Sequence, residues 1–415
     1  MIVEQLSLVD FRNYAAADVS LAAGPNVFVG RNGQGKTNLA EAIAYFATLG
    51  SHRVSQDAPM VRDGKDAAIV RARLAFGERR IILEAQLNRS GSNKARVNGS
   101  PVKSAELPRY AQVVLFAPED LQIVRGDPSS RRRFSDQLLI QRAPRMSGVL
   151  GDYDRVLKQR TALLKSARAR GLRAEELSTL DVWDDKLVQL GTQVIRARLA
   201  LADDLARPLA EAYTAIAGED HRPELEWALT IGGEVADEDA GEGRDVSSSP
   251  LRGSAQRPGG AADPEQIEAA FREQLAAKRA VELERGVTLV GPHRDDLILR
   301  VRGLPVKGYA SHGESWSVAL ALRLASAQLL REHSPLGDPI VILDDVFAEL
   351  DADRRARLAG LVVDFEQVIV TAAVEADVPA ALRARTVRVE AGTIHEDAAP
   401  AEHQATPTTE VTADA

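Results

Sequence analysis

Short runs of alternating apolar and polar residues dominate the first 110 residues, after which the period lengthens to that of helices. Met1 to Asp10 alternates like an edge strand. Asn98-Gly99, between Lys94-Ala95-Arg96-Val97 and Pro101-Val102-Lys103, has the composition of a two-residue hairpin turn. From about Arg131 to Tyr213, Leu, Val and Ala recur every three to four residues with charges between them, which predicts a helical region. His221 to Ile231 is a candidate strand that Gly232-Gly233 would end, and a further helix is expected from Pro264 to Arg285. Ala236 to Asp263 is rich in Gly, Ser, Pro and acid, with almost no large apolar residue to offset chain entropy; a disordered insertion is expected there. Residues from about 396 to Ala415 are expected to form a disordered tail, and no internal repeat is evident.

Chemistry concentrates where two apolar runs end. Pro25-Asn26-Val27-Phe28-Val29 leads into Gly30-Arg31-Asn32-Gly33-Gln34-Gly35-Lys36-Thr37, and a helix pattern follows from Asn38 to Phe46. This is the Gly-x4-Gly-Lys-[Ser/Thr] phosphate cradle in its required strand, loop and helix context. Its backbone N–H groups converge on phosphate oxygens at a helix N-terminus, Lys36 reaches the β and γ phosphates, and the Thr37 hydroxyl holds Mg²⁺. Far along the chain, Pro339-Ile340-Val341-Ile342-Leu343 ends in Asp344-Asp345. An uninterrupted apolar run of this kind is a buried parallel strand, whose carboxyl end is where ligands bind in an open α/β sheet. Asp344 is placed to hold Mg²⁺ through water and Asp345 to polarise the water that attacks the γ-phosphate. An apolar strand ending in Asp is common by itself. Followed by Val346-Phe347-Ala348-Glu349-Leu350-Asp351, it resembles the Walker B strand and D-loop of ABC-type ATPases. A third element, Tyr309-Ala310-Ser311-His312-Gly313-Glu314-Ser315-Trp316, opens a long helix. In isolation it reads equally as a helix capped by Ser311 or Ser315 with no ligand. Its place about thirty residues before the acidic strand makes it resemble the ABC signature loop, which reaches, through Ser311 and Gly313, the γ-phosphate bound to another subunit. The active unit implied is an ATP-sandwiched homodimer.

Composition changes this picture little. The 415 residues are enough for two or three domains; with no cysteine there is neither a disulfide framework nor a thiolate zinc site. No apolar run approaches the roughly 20 residues that cross a bilayer, and no secretory leader pattern opens the sequence. A cytoplasmic protein without membrane attachment is expected. The net charge of −8 is unevenly spread: Ile123 to Arg173 carries thirteen Arg and Lys against four Asp. Such a run is either a solvated helical surface or a field that tracks DNA phosphates. In the second case Arg131, Arg132, Arg133, Lys158 and Arg160 are the DNA-facing candidates.

These motifs together resemble the RecF family. The resemblance spans nearly all of residues 1–395 and rests on five blocks: Leu8-Val9-Asp10-Phe11-Arg12-Asn13-Tyr14; the Walker A run; Leu115 to Leu121 with Gly126 and Arg131-Arg132-Arg133-Phe134; Gly291-Pro292-His293-Arg294-Asp295-Asp296; and Leu343 to Asp351. It implies an α/β fold: an ABC-type ATPase head of mixed β-sheets with helices, interrupted by an inserted helical lobe. Residues 1–130 and 286–395 would form the ATPase lobe and 131–285 the helical one. It further implies a weak DNA-dependent ATPase with ATP and Mg²⁺ as cofactors. Dimerisation on DNA at single-stranded gaps and duplex junctions, and recombinase loading with RecO and RecR, complete the implied function. The signature reads Ser-His-Gly-Glu-Ser where Ser-Gln-Gly-Gln-Gln is the commoner family form, so Ser311 and Gly313 carry over more securely than His312 or Glu314. In related heads an arginine at the position of Arg12 stacks on or pairs with the nucleotide; the plainer alternative is an exposed strand-end arginine. His293 is expected in a turn or interface, not on a metal. Gln112, Glu119 and Asp120 form either a coupling loop between lobes or an ordinary polar loop. Two other classes fit less well. An ATP-driven nuclease of the overcoming-lysogenisation type needs an acidic Toprim-like domain after the head, and a transporter subunit places its two Walker motifs within one domain of about 200 residues. The helical arm is too short and too poorly heptadic for the coiled coils of SMC proteins or RecN.

Overall fold

The computed structural model describes residues 1–172, 178–233 and 263–396. The insertion expected at 236–263 falls outside them except for Asp263, and so does the tail beyond Glu396.

Two six-stranded sheets carry the head. The first is antiparallel, in the order β2-β1-β4-β5-β6-β7, where β1 is Ile2–Phe11, β2 Tyr14–Ser20, β4 Ala67–Phe76, β5 Arg79–Asn88, β6 Lys94–Val97 and β7 Ser100–Val102. The expected edge strand at the N-terminus is corrected here, because β1 pairs with both β2 and β4 and is interior. Alternation reports that one face is wet, and an interior strand of a one-sided sheet shows it as well as an edge does. The hairpin at Asn98-Gly99 forms, with φ of 50° and 81° at the two turn positions, the left-handed values that Asn and Gly tolerate best.

The second sheet runs β15-β14-β3-β13-β12-β8 and is parallel except for its edge strand β15. Its strands are β3 (Gly24–Val29), β8 (Val113–Phe116), β12 (Ile340–Asp344), β13 (Gln367–Ala372), β14 (Arg385–Glu390) and β15 (Thr393–Glu396). The unbroken apolar runs are explained by burial on both faces. Ile340 and Ile342 of β12 pack with helix α1 (Lys36–Thr48) and the first sheet, whereas Val341 and Leu343 pack on the opposite side.

Helix α2 (Leu121–Arg125) leads into the helical region: α3 (Pro128–Arg142), α4 (Arg145–Ala169), α5 (Ser178–Ala217) and α6 (Pro264–Arg285). At 40 residues, α5 is about 60 Å long. Its Leu187, Val188 and Ile195 join Tyr153, Phe271 and Val290 in a smaller core cluster, while Leu201, Leu205, Leu209, Tyr213 and Ile216 pack into the main core beneath the parallel sheet. The start of α6 matches expectation closely, for Asp263 caps it by accepting from the Glu265 amide at 3.0 Å. Within the span expected as a strand, Glu224–Ala228 forms β9, which pairs with β10 (Asp296–Val301) and, beyond it, β11 (Leu304–Pro305). Two further helices complete the head, α7 (His312–His333) and α8 (Ala352–Val362).

Candidate nucleotide site

The loop from Gly30 to Thr37 leaves β3 and enters α1 at the carboxyl end of the parallel sheet. Two of its glycines are required by close approach. A Cβ on Gly30 would lie 2.2 Å from the Val389 carbonyl oxygen; one on Gly35, where φ is 120°, would lie 2.7 Å from the Tyr14 hydroxyl. The outside of the loop is tied down: Asn13 Nδ2 and the Gly392 amide donate to the Gln34 carbonyl at 2.9 and 3.1 Å, and Tyr14 donates to the Gly35 carbonyl at 3.1 Å. Asn38 joins the same layer, donating to Asn13 Oδ1 at 2.8 Å. Lys36 is only 3 % exposed and its Nζ reaches back to the Arg31 carbonyl at 3.3 Å. No side chain caps α1 and its first turn holds no acid, so its leading N–H groups suit an anion.

The acidic strand closes on this loop. Thr37 Oγ1 donates to Asp344 Oδ1 at 3.0 Å, although the two residues are 307 positions apart. Thr371, at the end of β13, donates to the same oxygen at 2.6 Å and accepts from the Asp345 amide at 2.9 Å. It thus clamps both acids, with Asp345 in the left-handed region at φ 51°. Burial raises the Asp345 carboxyl above the usual range; Lys36 opposes that shift, while Asp344 and Glu119 add to it. His52, just past α1, brings Nε2 to 3.6 Å from Asp344 Oδ2. Sequence reasoning missed both Thr371 and His52. The only local signal for Thr371 is its position at the carboxyl end of an apolar strand.

A hydroxyl and a carboxylate 3.0 Å apart, both hard oxygen donors, fit Mg²⁺ held through one or two protein oxygens with phosphate and water completing the shell. Among the described residues no group of three or more His, Cys, Asp or Glu forms a cage of protein ligands alone.

Arg12 is not a plain exposed arginine. It forms a bidentate pair with buried Glu41 of α1 at 2.6 and 2.7 Å and donates to the Pro59 carbonyl at 3.0 Å. Ser51 donates to the same Glu41, linking Arg12 to the His52 loop. Ser311 caps α7: its Oγ accepts from the Glu314 amide at 3.2 Å, and Glu314 accepts from the Ser311 amide at 2.9 Å. Among the described residues, no hydrogen bond of Ser311 or Gly313 reaches the phosphate loop of its own chain.

Two DNA-facing candidates are corrected by burial. Arg160 is 0 % exposed; it pairs with Asp184 and Glu282 at 2.6 Å each and donates to Thr288. Arg131 is clamped on Asp296 at 2.6 and 2.9 Å and donates to the Gly126 carbonyl. A guanidinium whose donors are spent inside the fold has none to offer a phosphate. The spacing carried the signal, because Arg160 falls in register with the buried positions Tyr153, Val156, Leu164 and Ala167 of α4. Half-buried Arg132 donates to the Asp295 carbonyl at 2.8 Å, whereas Arg133 and Lys158 are exposed, the latter beside Asp154. His293 is interior: it bonds Tyr153 Oη at 2.7 Å and the Thr288 carbonyl at 3.1 Å, and burial lowers its pKa to about 3.

The family described as the RecF/RecN/SMC N terminal domain matches residues 2–395. "DNA replication and repair protein RecF" of Clavibacter sepedonicus is 57 % identical over 402 residues, which are 97 % of this chain and 96 % of that one. The protein of the same name from Leifsonia xyli subsp. xyli is 56 % identical over 95 % of this chain and 100 % of its own. The chain belongs to the RecF family. Among solved structures, the recombination mediator protein RecF with ATP has a TM-score of 0.80 at 24 % identity, covering 95 % of this chain and 97 % of that one. That likeness shows the fold, so the two sheets and inserted helices are those of a RecF head. Membership in the RecF family of DNA replication and repair proteins displaces the nuclease and transporter readings. Among the described residues no helix is long and apolar enough to cross a membrane.

Proposed function

We propose that this protein is an ATP-operated DNA clamp of recombinational repair, a weak DNA-dependent ATPase that uses hydrolysis as a conformational switch. One observation carries the reading: Lys36, Thr37, Asp344 and Asp345 assemble in one place, whereas among the described residues Ser311 and Gly313 make no bond to that loop, as expected if they cap a second copy's nucleotide. Lys36 and the Gly30–Asn38 backbone bind the phosphates of ATP, and Arg12 flanks the nucleotide. Thr37 and Asp344 hold Mg²⁺, which when bound neutralises phosphate charge. Asp345 accepts the proton of the water whose oxygen attacks the γ-phosphorus as the bond to the ADP oxygen breaks. Residues 1–130 and 286–395 act as the ATPase lobe and 131–285 as the arm; Arg133 and Lys158 meet DNA phosphates at single-stranded gaps and duplex junctions. RecO and RecR are the partners in recombinase loading, and the setting is cytoplasmic; family membership supports this part of the reading.

Sedimentation velocity without nucleotide, with ADP, with ATP, and with ATP plus duplex DNA tests this. A dimer that needs ATP, tightens with DNA and persists in Asp345→Asn is the expected result. Normal turnover in Asp345→Asn would rule out its role, and a monomer that still hydrolyses ATP would rule out the sandwich.

A further inference from the structure

The stretch Ala117–Gly126 runs from β8, the neighbour of the acidic strand, to the signature turn. In the sheet, β8 lies beside β12 with Phe116 opposite Leu343, so the chain leaves at the same edge as Asp344 and Asp345. Asp120 closes the first turn by accepting from the Ala117 amide at 3.0 Å. Its other oxygen accepts from Arg323 in the body of α7 at 2.6 and 3.1 Å. Helix α2 follows, with Ile123 and Val124 buried in the same core as α7. At its end, Arg125 donates Nε to Ser315 Oγ at 2.9 Å and Nη2 to the Ala310 carbonyl at 3.4 Å. Ser315 Oγ in turn donates to the Ser311 carbonyl at 2.9 Å. One guanidinium therefore touches the chain on both sides of Ser311.

We propose that Arg125 is the positioning residue of the signature turn, holding Ala310 to Ser315 in the conformation that a second copy's nucleotide meets. This rests on the dimer reading above. The tip of the turn has little packing of its own, since Ser311 and His312 are exposed and neighbouring Tyr309 is 69 % exposed. Hydrogen bonds from a charged donor are stronger than neutral ones, and here they supplement the Ser311–Glu314 capping box. A lysine would not substitute, because a single ammonium on a flexible stem lacks the fixed fork that serves Ser315 and Ala310 together. Arg125 belongs to the basic run and is exposed, but its Nε and Nη2 are spent on Ser315 and Ala310.

Two measurements on the full chain test this. Amide hydrogen exchange without nucleotide needs no dimer: residues 309–317 of Arg125→Ala are expected to exchange on the order of tenfold faster, while α1 is unaltered. Arg125→Lys should fall between this variant and the parent. The second measurement uses mixed dimers in which one subunit carries Lys36→Met and the other Ser311→Arg, leaving one complete site. Arg125→Ala on the Lys36→Met subunit, which donates the intact signature, should cut turnover about tenfold. The same change on the other subunit should cost much less. Unchanged exchange, or equal losses from either subunit, overturns the proposal. Weaker DNA binding with unchanged exchange overturns it too and makes Arg125 a DNA contact. If the parent protein forms no ATP-dependent dimer, the clamp reading falls and the exchange result alone judges Arg125.

Discussion

The candidate nucleotide site and the buried ion cluster around Arg160 are both dense in charge, yet one leaves groups unspent and the other holds itself together. In that cluster Arg160 spends its donors on Asp184, Glu282 and Thr288, and Glu282 spends its second oxygen on the Leu289 amide. Around the phosphate loop the outer atoms are tied down, but the groups facing the ligand are left: the N-terminal amides of α1, a lysine resting on one carbonyl at 3.3 Å, and Asp345 raised by burial. The difference teaches that charge density alone does not mark function. Unspent hydrogen-bonding capacity does.

Lys36→Met should break the comparison most sharply on the functional side. Nucleotide affinity is expected to fall by at least about a hundredfold, with the melting temperature little changed; a retained affinity in a titration with a fluorescent ATP analogue would contradict the site. Arg160→Met should do the opposite. It leaves Glu282 buried without its cation, and about 3–5 kcal/mol of stability is expected to be lost in denaturant unfolding. If instead the variant is as stable as the parent and loses DNA affinity, Arg160 is a DNA contact after all.

Smaller effects sharpen the picture. Arg133→Ala and Lys158→Ala should each weaken duplex binding whatever its sequence, and lower the magnitude of the slope of log affinity against log salt by about one. The pair Lys158–Asp154 is exposed, so stability should hardly change. Last, Asp295 is buried against Thr230, and burial raises its pKa to about 6 against opposing hydrogen bonds from Thr230 and the charges of Arg198 and Arg132. A carboxyl raised on folding binds its proton more tightly in the native state. Its favourable contribution is therefore present at low pH and is lost as pH rises from about 4 to about 6. Asp295→Asn should flatten that slope in unfolding measurements across the same window.

Much of the fold was legible because its signals are local. The hairpin at Asn98-Gly99 needs only two residues that accept positive φ, and α6 announces its start through Asp263-Pro264 and its end through Gly286, left-handed at φ 68°. The doubly buried strands betray themselves as unbroken apolar runs. Alternation in β1 did not reveal its neighbours, since an edge and an interior strand of a half-wet sheet share one pattern. The basic run misled for a related reason: a count of charges ignores the helical face each occupies, and the registers of Arg160 and Arg131 put them inside.

The sequence by itself determined what lies within contiguous runs: the glycine-rich loop from Gly30 to Thr37 between strand and helix, the acids Asp344 and Asp345 at the end of a buried strand, and the capped helix that Ser311 opens. Backbone constraint and hydrophobic period act over a few residues, so those features could be read directly. Only the tertiary structure brought Thr371 and His52 to Asp344, set Arg12 on Glu41, turned Arg131 and Arg160 inward to Asp296 and Glu282, and laid exposed Arg125 onto Ser315. Each of those choices joins side chains far apart in the chain, and the packing of whole sheets and helices fixes which distant groups fall within hydrogen-bonding reach of 3 Å or so.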